Sequence, residues 1–249
     1  MSAPLLSVLL LLASFVLASL LGSIPWGIII SRIFFRTDIR KHGSGNIGTT
    51  NALRTLGKRG GGAVFALDFS KGFAAGLLVL AVARAFLPNL NALLGAAPPA
   101  TTALIPPLNM APPLPQGAWL SEQGLLAVAL LSCTLGHIFS PWLGFKGGKG
   151  IAVAVGCSFV TLGWLGALIE LAVFIVLVVL TRYVSVGSIA AAVACPLMAL
   201  WLYWGDWLAI LPCVILGAII VWAHRDNIKR LVTHTEPRLS SKKGPPHAP

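Results

Sequence analysis

The sequence predicts an all-α, polytopic integral membrane protein with seven transmembrane helices, an N-terminus outside the cell and a C-terminus in the cytoplasm. Two observations predict this class. Of 249 residues, 57% are hydrophobic and only 10% are charged, whereas soluble domains carry about 25% charged residues. The charges are also unequal, with 18 Lys and Arg against 7 Asp and Glu and a net charge of +11. This composition excludes a disordered chain, a disulfide-rich scaffold and a soluble domain.

Three apolar segments of bilayer length come first. Residues 5–30 follow no basic residue and are too long for the apolar part of a signal peptide, so they are read as the first span. Basic residues follow it, and the positive-inside rule then places residues 32–62 in the cytoplasm. The second and third spans cover residues 63–87 and 124–143. Between them, the Pro-rich residues 88–122 lack Lys and Arg, so we expect an outside loop with little regular helix.

Residues 151–181 decide the number of spans. Read as one span, they place the basic C-terminal segment outside, against the charge rule. Read as two short spans of about 15 residues each, broken near Gly163, they return that segment to the cytoplasm. Two last spans follow at 186–203 and 206–222. All the basic residues except Arg84 then lie on the cytoplasmic side.

The chain is expected to form one membrane domain over residues 1–239, followed by a flexible cytoplasmic tail at 240–249. The four cysteines lie inside apolar runs without metal-like spacing, which indicates small buried hydrophobes. The sequence contains no H-E-x-x-H, G-x-S-x-G or H-x₄-D pattern and no convincing dinucleotide fingerprint. We therefore predict neither a metal nor a cofactor.

A first polar cluster occupies residues 42–54 at the predicted cytoplasmic surface. Glycines let backbone N–H groups converge on an anion, and Ser, Thr and Asn side chains add donors. A planar guanidinium suits phosphate. An ordinary polar turn is the alternative. The candidate residues of this cluster are Gly43, Ser44, Gly45, Asn46, Thr50, Asn51 and Arg54.

A second cluster is the glycine-rich run at residues 145–150, directly before a predicted helix. A loop of this kind at a helix N-terminus can bind an anion, and its lysines add point charges. A basic loop that only sets topology is the alternative. The candidates here are Lys146, Gly147, Gly148, Lys149 and Gly150.

The third cluster, residues 224–230, follows the last span. His224 and Asn227 are three residues apart and would share a helix face. A basic helix on anionic lipid is the alternative. Asp68 and Lys71, also three apart, are charges within a span and suggest either function or an internal ion pair. His137 is interpreted as a helix-packing residue.

These motifs resemble one family. G-S-G-N-x-G-x-T-N followed by an Arg, then G-F-K-G-G-K-G, then H-x-x-N-I-x-R-L with T-E-P downstream resemble the bacterial acylphosphate-dependent glycerol-3-phosphate acyltransferases. The similarity runs from about residue 20 to 239. It implies a seven-span enzyme of the bacterial inner membrane with its active site on the cytoplasmic side.

The resemblance implies a reaction, its partners and the roles of residues. A fatty acyl group passes from acyl phosphate to the sn-1 hydroxyl of glycerol 3-phosphate, giving lysophosphatidic acid and phosphate without acyl-CoA or acyl carrier protein. The expected partners are these two substrates, membrane lipid and, functionally, the enzyme that makes acyl phosphate; no nucleic acid is expected. The implied catalytic residues are Ser44, Arg54, His224 and Asn227, the implied phosphate contacts are the glycine-rich loop with Lys146 and Lys149 and either Ser185 or Ser188, and Glu236 is structural.

Two questions stay open at this level. The hydroxyl proton could pass to His224 or to an oxygen of a substrate phosphate. A phosphate transporter would use the same basic loops, but it also needs a polar path to the outer face, where the sequence offers only Arg84, Glu122 and Asp206. A scaffold for anionic lipids would not need the polar side chains Ser44, Asn46, Asn51 and Asn227.

Overall fold

The computed structural model describes residues 3–93 and 120–239. Those two ranges contain α-helices and two short 3₁₀ turns, at Ile39–Lys41 and Pro141–Leu143, and no strand, as the all-α prediction requires. The helices are α1 (Ala3–Ser23), α2 (Trp26–Phe35), α3 (Thr49–Leu93), α4 (Glu122–Ile138), α5 (Ile151–Thr161), α6 (Gly163–Thr181), α7 (Val184–Leu202), α8 (Trp207–Ala223) and α9 (Arg225–Val232).

The helices differ in their ability to cross a bilayer. Among the described residues, five apolar helical segments are long enough: α1 with α2, α3, α4 with the turn after it, α6 and α7. The pair α8 and α9, bent by 54°, forms a sixth if it is counted as one broken span. Helix α5 has 11 residues, about half of the roughly 20 that span a bilayer. Seven spans and the orientation of the termini therefore remain a prediction.

Besides the kink at Gly57 within α3, where φ is +72°, two breaks between helices shape the bundle. The break predicted near Gly163 is confirmed, since α5 ends at Thr161 and Gly163 has a φ of +75°. The two pieces are unequal, 11 and 19 residues, because Gly163 lies closer to the start of residues 151–181 than to their end. The first predicted span, residues 5–30, falls within one candidate span, Ala3–Phe35, which consists of two helices. Helix α1 stops before Pro25, whose ring cannot continue a hydrogen-bonded helix, and the chain turns into α2.

The expected outside loop begins later than predicted. Helix α3 continues past Pro88 to Leu93, because a proline removes one hydrogen bond while the buried Leu87 and Leu90 hold both sides of it against the core. Glu122, the predicted end of the loop, already belongs to α4. The rest of that loop, and the predicted tail at 240–249, lie outside the described residues.

Helix α4 lies at the centre and packs against α1, α3, α5 and α8. Small residues allow the close approach of α1 and α4. A Cβ on Gly22 would lie 1.9 Å from the carbonyl oxygen of Cys133, and one on Gly136 would lie 2.2 Å from that of Ser19. Such contacts are typical of helices that pack in lipid.

Exposed tryptophans mark the two ends of the bundle. Indole rings favour the two boundaries between membrane and water, where the ring is partly buried and its N–H is wet. Those at the end where α6 begins and α7 stops are Trp164, Trp201, Trp204 and Trp207, and those at the opposite end are Trp142 and Trp222. The second end carries the predicted site.

Candidate active site

The three polar clusters meet around one cavity of about 340 Å³. Its walls come from the N-terminal turns of α3, the loop before α5, the start of α7, and the segment from the end of α8 to residue 239. The predicted residues that line it are Ser44, Asn46, Thr50, Asn51, Arg54, Asp68, Lys149, Gly150, Ser185, Ser188, His224, Asn227 and Glu236.

Apolar side chains form the rest of the wall. Ile151 and Val155 of α5 face Leu171, Phe174 and Val178 of α6 across the cavity. The last three are spaced so that they share one face of α6. One cavity therefore joins a polar, cation-bearing part to an apolar part of the kind that accommodates a hydrocarbon chain.

Six predicted residues do not line the cavity. Lys146 is exposed to solvent, and Lys71 is buried below the cavity in an ion pair with Asp68. Gly43 and Gly45 have φ of +58° and +70°, so they shape the first loop through backbone conformations that side chains disfavour. The remaining two are Gly147 and Gly148.

Asn51 organises the first loop. The two hydrogens of its Nδ2 atom are shared among the carbonyl oxygens of Ile39, His42 and Asn46 at 2.7–3.1 Å, and its Oδ1 accepts from the backbone N–H of Ser44 at 2.9 Å. The side chain is thus fully engaged with the backbone, which gives Asn51 a positioning role and leaves Ser44 held at the cavity wall.

The glycine-rich loop packs against the C-terminal end of α4. The N–H groups of Gly147 and Gly148 donate to the carbonyls of Ile138 and His137 at 2.9 and 3.1 Å, so they are engaged within the protein. Lys149 is the loop residue whose side chain reaches the cavity, where its Nζ contacts Oδ1 of Asn227. Burial, reinforced by the charge of Arg230, lowers the pKa of Lys149 to about 8.

His224 has a defined tautomer. Its Nδ1 lies 2.8 Å from the carbonyl oxygen of Ile220. A carbonyl only accepts, so we assign the proton of the neutral ring to Nδ1, which leaves Nε2 with a free lone pair. The ring is buried and lines the cavity, which makes Nε2 a candidate proton acceptor.

Glu236 binds two side chains of the third cluster. Its carboxylate accepts from Nδ2 of Asn227 at 2.6 Å and from Nε of Arg230 at 2.7 Å. Burial raises the pKa of Glu236, but the hydrogen bonds from Asn227 and Arg230 outweigh it and hold the pKa below its ordinary value. Glu236 therefore stays ionised and orients both partners.

The two candidate serines differ in what their hydroxyls do. Ser188 donates to the carbonyl oxygen of Val184 at 2.9 Å, one turn back on its own helix. The hydroxyl of Ser185 is buried without a hydrogen-bond partner among the described residues, and it lies at the cavity wall. The geometry favours Ser185 as the serine that contacts a substrate.

Comparison with known proteins agrees with the site. The profile of the family "Glycerol-3-phosphate acyltransferase" matches residues 12–234. The chain belongs to this family.

Several relatives carry the name of the family. The glycerol-3-phosphate acyltransferase of Chlorobaculum parvum is 36% identical over 92% of this chain and 96% of its own length, and that of Thermosynechococcus vestitus is 36% identical over 90% and 93%. Among solved structures, the chain resembles PlsY (YgiH), an integral membrane glycerol 3-phosphate acyltransferase, in its glycerol 3-phosphate form. The TM-score is 0.71 at 32% identity, with 93% of this chain and 96% of that chain covered. The lysophosphatidic acid form of PlsY gives a TM-score of 0.68 at 32% identity. The protein is thus an acyltransferase, and the transporter and scaffold alternatives are set aside.

The acyltransferase site also contains residues that sequence reasoning did not assign. Arg230 lines the cavity beside Glu236, and the basic third motif was a signal for it. Thr49 lines the cavity with a buried hydroxyl that has no partner among the described residues. His137 lines it as well, although its position in an apolar helix indicated only packing.

Proposed function

We propose that this acyltransferase transfers a fatty acyl group from acyl phosphate to the sn-1 hydroxyl of glycerol 3-phosphate. The products are lysophosphatidic acid and phosphate, and the reaction is the first step of phospholipid synthesis. The observation that carries this proposal is the single cavity with three cationic side chains, Arg54, Lys149 and Arg230, at one part and an apolar wall at another. The glycerol 3-phosphate and lysophosphatidic acid forms of PlsY support it.

Two phosphate groups need two sets of donors, and the three cations occupy different positions. Arg54 is largely exposed, free of any ion pair within the described residues, and suited to a substrate that arrives from water. Lys149 is partly buried beside Asn227, and Arg230 is fixed by Glu236. We assign the two substrate phosphates to these residues, with Ser44, Thr50 and Ser185 as hydroxyl donors.

The chemistry needs little from the protein beyond positioning. The sn-1 oxygen attacks the carbonyl carbon of acyl phosphate, a C–O bond to glycerol forms, and the C–O bond to phosphate breaks. The proton of the hydroxyl passes to Nε2 of His224 and on to the departing phosphate, or directly to a phosphate oxygen. Because acyl phosphate is already activated, fixed cations and aligned reactants are sufficient, without a covalent enzyme intermediate or a cofactor.

The membrane location follows from charge. We propose a seven-span arrangement in the bacterial inner membrane, with residues 1–239 as one domain and the active site facing the cytoplasm. Support comes from the basic residues, which gather at the end of the bundle that carries the cavity. A water-soluble glycerol 3-phosphate would then enter from the cytoplasm, and a functional link to the enzyme that makes acyl phosphate would supply the donor.

The donor is tested by direct assay. Purified protein in lipid nanodiscs receives labelled glycerol 3-phosphate with palmitoyl phosphate, palmitoyl-CoA or palmitoyl acyl carrier protein. We expect lysophosphatidic acid and an equal amount of phosphate with palmitoyl phosphate, and no product with the two thioesters. Product from a thioester at a comparable rate would contradict the proposed donor, and the absence of product from all three would contradict the proposed activity.

A further inference from the structure

A buried polar chain connects the α1–α2 break to the glycine-rich loop. Nζ of Lys71 donates to the carbonyl oxygen of Ile24 at 2.7 Å, and it lies 2.8 Å from Oδ1 of Asp68 and 2.9 Å from Nδ1 of His137. Lys71, Asp68 and His137 are each at most 5% exposed. The ammonium group is thus hydrogen-bonded to Ile24 and His137 and ion-paired with Asp68.

The contact with Lys71 fixes the state of the His137 ring. An ammonium can only donate, so Nδ1 of His137 accepts, and the proton of the neutral ring is assigned to Nε2. The His137 ring is therefore held by the ammonium of Lys71, which is itself held by Ile24 and Asp68. A side chain constrained in this way can act as a rigid surface for the chain that packs on it.

The glycine-rich loop lies on that surface. The carbonyl of His137 accepts from the N–H of Gly148 at 3.1 Å. A Cβ on Gly148 would lie 2.0 Å from Nε2 of His137, and one on Gly147 would lie 1.9 Å from the His137 carbonyl oxygen. Both glycines are needed because His137 occupies the space of their side chains. The next residue is Lys149, whose side chain enters the cavity.

We propose that His137 is a positioning residue, fixed by Lys71 and Asp68, that sets the path of the glycine-rich loop and thereby places Lys149 in the substrate cavity. The inference deepens the proposed function, since Lys149 matters there as a phosphate ligand. His137 acts through the loop rather than on the reacting atoms. It also gives Gly147 and Gly148 a role different from direct anion binding.

The first test reads the position of Lys149 without turnover. The rate of Lys149 acetylation by acetic anhydride is followed by mass spectrometry between pH 7 and 10, in the wild type and in His137→Leu. We expect a midpoint near 8 in the wild type, from its lowered pKa. We expect a rise toward an ordinary lysine value in His137→Leu, because a displaced loop exposes the ammonium to water. An unchanged midpoint in the folded variant would overturn the inference.

The second test uses the contact between the ring and the loop, and it does not depend on the folding of His137→Leu. In the proposed acyltransferase assay, Gly148→Ala should raise KM for glycerol 3-phosphate about tenfold with a smaller effect on kcat. In the double variant His137→Ala/Gly148→Ala, the effects of the two single substitutions on KM should not add. The imidazole ring that would collide with a Cβ at position 148 is absent from this variant. A fully active Gly148→Ala, or additive effects, would overturn the inference. An inactive wild type with a normal acetylation difference would overturn the proposed function instead.

Discussion

Nδ2 of Asn227 donates to Oε1 of Glu236 over 2.6 Å, and this bond joins α9 to the segment that follows it. The other end of the same amide, Oδ1, faces the ammonium of Lys149. Glu236 thereby fixes the orientation of the Asn227 amide. The amide in turn determines the contact that Asn227 makes with Lys149 at the cavity.

Replacing Glu236 should therefore damage catalysis more than stability. We expect Glu236→Ala to lower kcat/KM at least tenfold, because it removes two hydrogen bonds to a charged group, each worth about 1.5–3 kcal/mol. Glu236→Gln should lose less, since one amide oxygen can still accept from Asn227. Steady-state kinetics and the thermal unfolding midpoint in detergent measure the two effects. Wild-type kinetics in Glu236→Ala would contradict this role.

The lowered pKa of Lys149 predicts that kcat/KM falls at alkaline pH, which gives the pH profile an alkaline limb. Lysine is charged below its pKa, so the attraction for phosphate is present at pH 7 and is lost as the pH rises through about 8. Because kcat/KM reports the free enzyme, its profile should fall with a midpoint near that value.

Variants of the two loop lysines check this assignment. Lys149→Met should lose most of kcat/KM and with it the alkaline limb. Lys146→Met is the matched control in the same loop, and it should keep both, since Lys146 is exposed and does not line the cavity. Equal losses in the two variants would mean that the loop acts only through its total charge.

Ser185 and Ser188 provide a second matched pair. Ser185→Ala should lower kcat/KM about tenfold, the value of one hydrogen bond to a substrate at the upper end of the usual range, about 0.5–1.5 kcal/mol. Ser188→Ala should change it less than about twofold, because its hydroxyl already donates to the Val184 carbonyl. The reverse order of effects would show that Ser188 turns toward the substrate.

Asn51 should act through the order of the first loop. Asn51→Leu removes the hydrogen bonds by which the Asn51 side chain holds the loop over 39–46, so we expect at least a tenfold loss of kcat/KM and faster amide hydrogen exchange in that segment. Asn46→Ala is the milder control, since the Asn46 side chain accepts one bond, from the Gly48 N–H at 2.8 Å. Unaltered exchange in Asn51→Leu would contradict the positioning role.

The sequence predicts that the three polar clusters lie at the same end of the bundle, because the positive-inside rule places all of them on the cytoplasmic side of the membrane. It also predicts the break at Gly163, where a glycine with positive φ ends a helix. The break before Pro25 carried a visible signal in the proline itself. The continuation of α3 past Pro88 did not, because it depends on buried leucines that pack against other helices.

The buried contacts that hold the site residues in place could not be predicted from the sequence. The Lys71–His137 contact joins residues 66 apart, and nothing in either local pattern indicates that pairing. The hydrogen bonds of Asn51 show the same limit, since a side chain typical of an anion site turns out to bind the backbone. Tertiary packing decides which polar side chains in a motif face the ligand and which hold the loop.

The central claim is that this cavity binds both phosphates and transfers the acyl group between them. Its most direct measurement is lysophosphatidic acid formation from palmitoyl phosphate and glycerol 3-phosphate by three proteins: wild type, Arg54→Ala and Arg59→Ala. Arg54 lines the cavity, whereas Arg59 is an exposed arginine beyond the kink at Gly57 and does not line it. We predict product from the wild type and from Arg59→Ala, and at least a hundredfold loss in Arg54→Ala, as for a removed charged contact of about 3 kcal/mol. Product formation at the wild-type rate by Arg54→Ala would contradict the account.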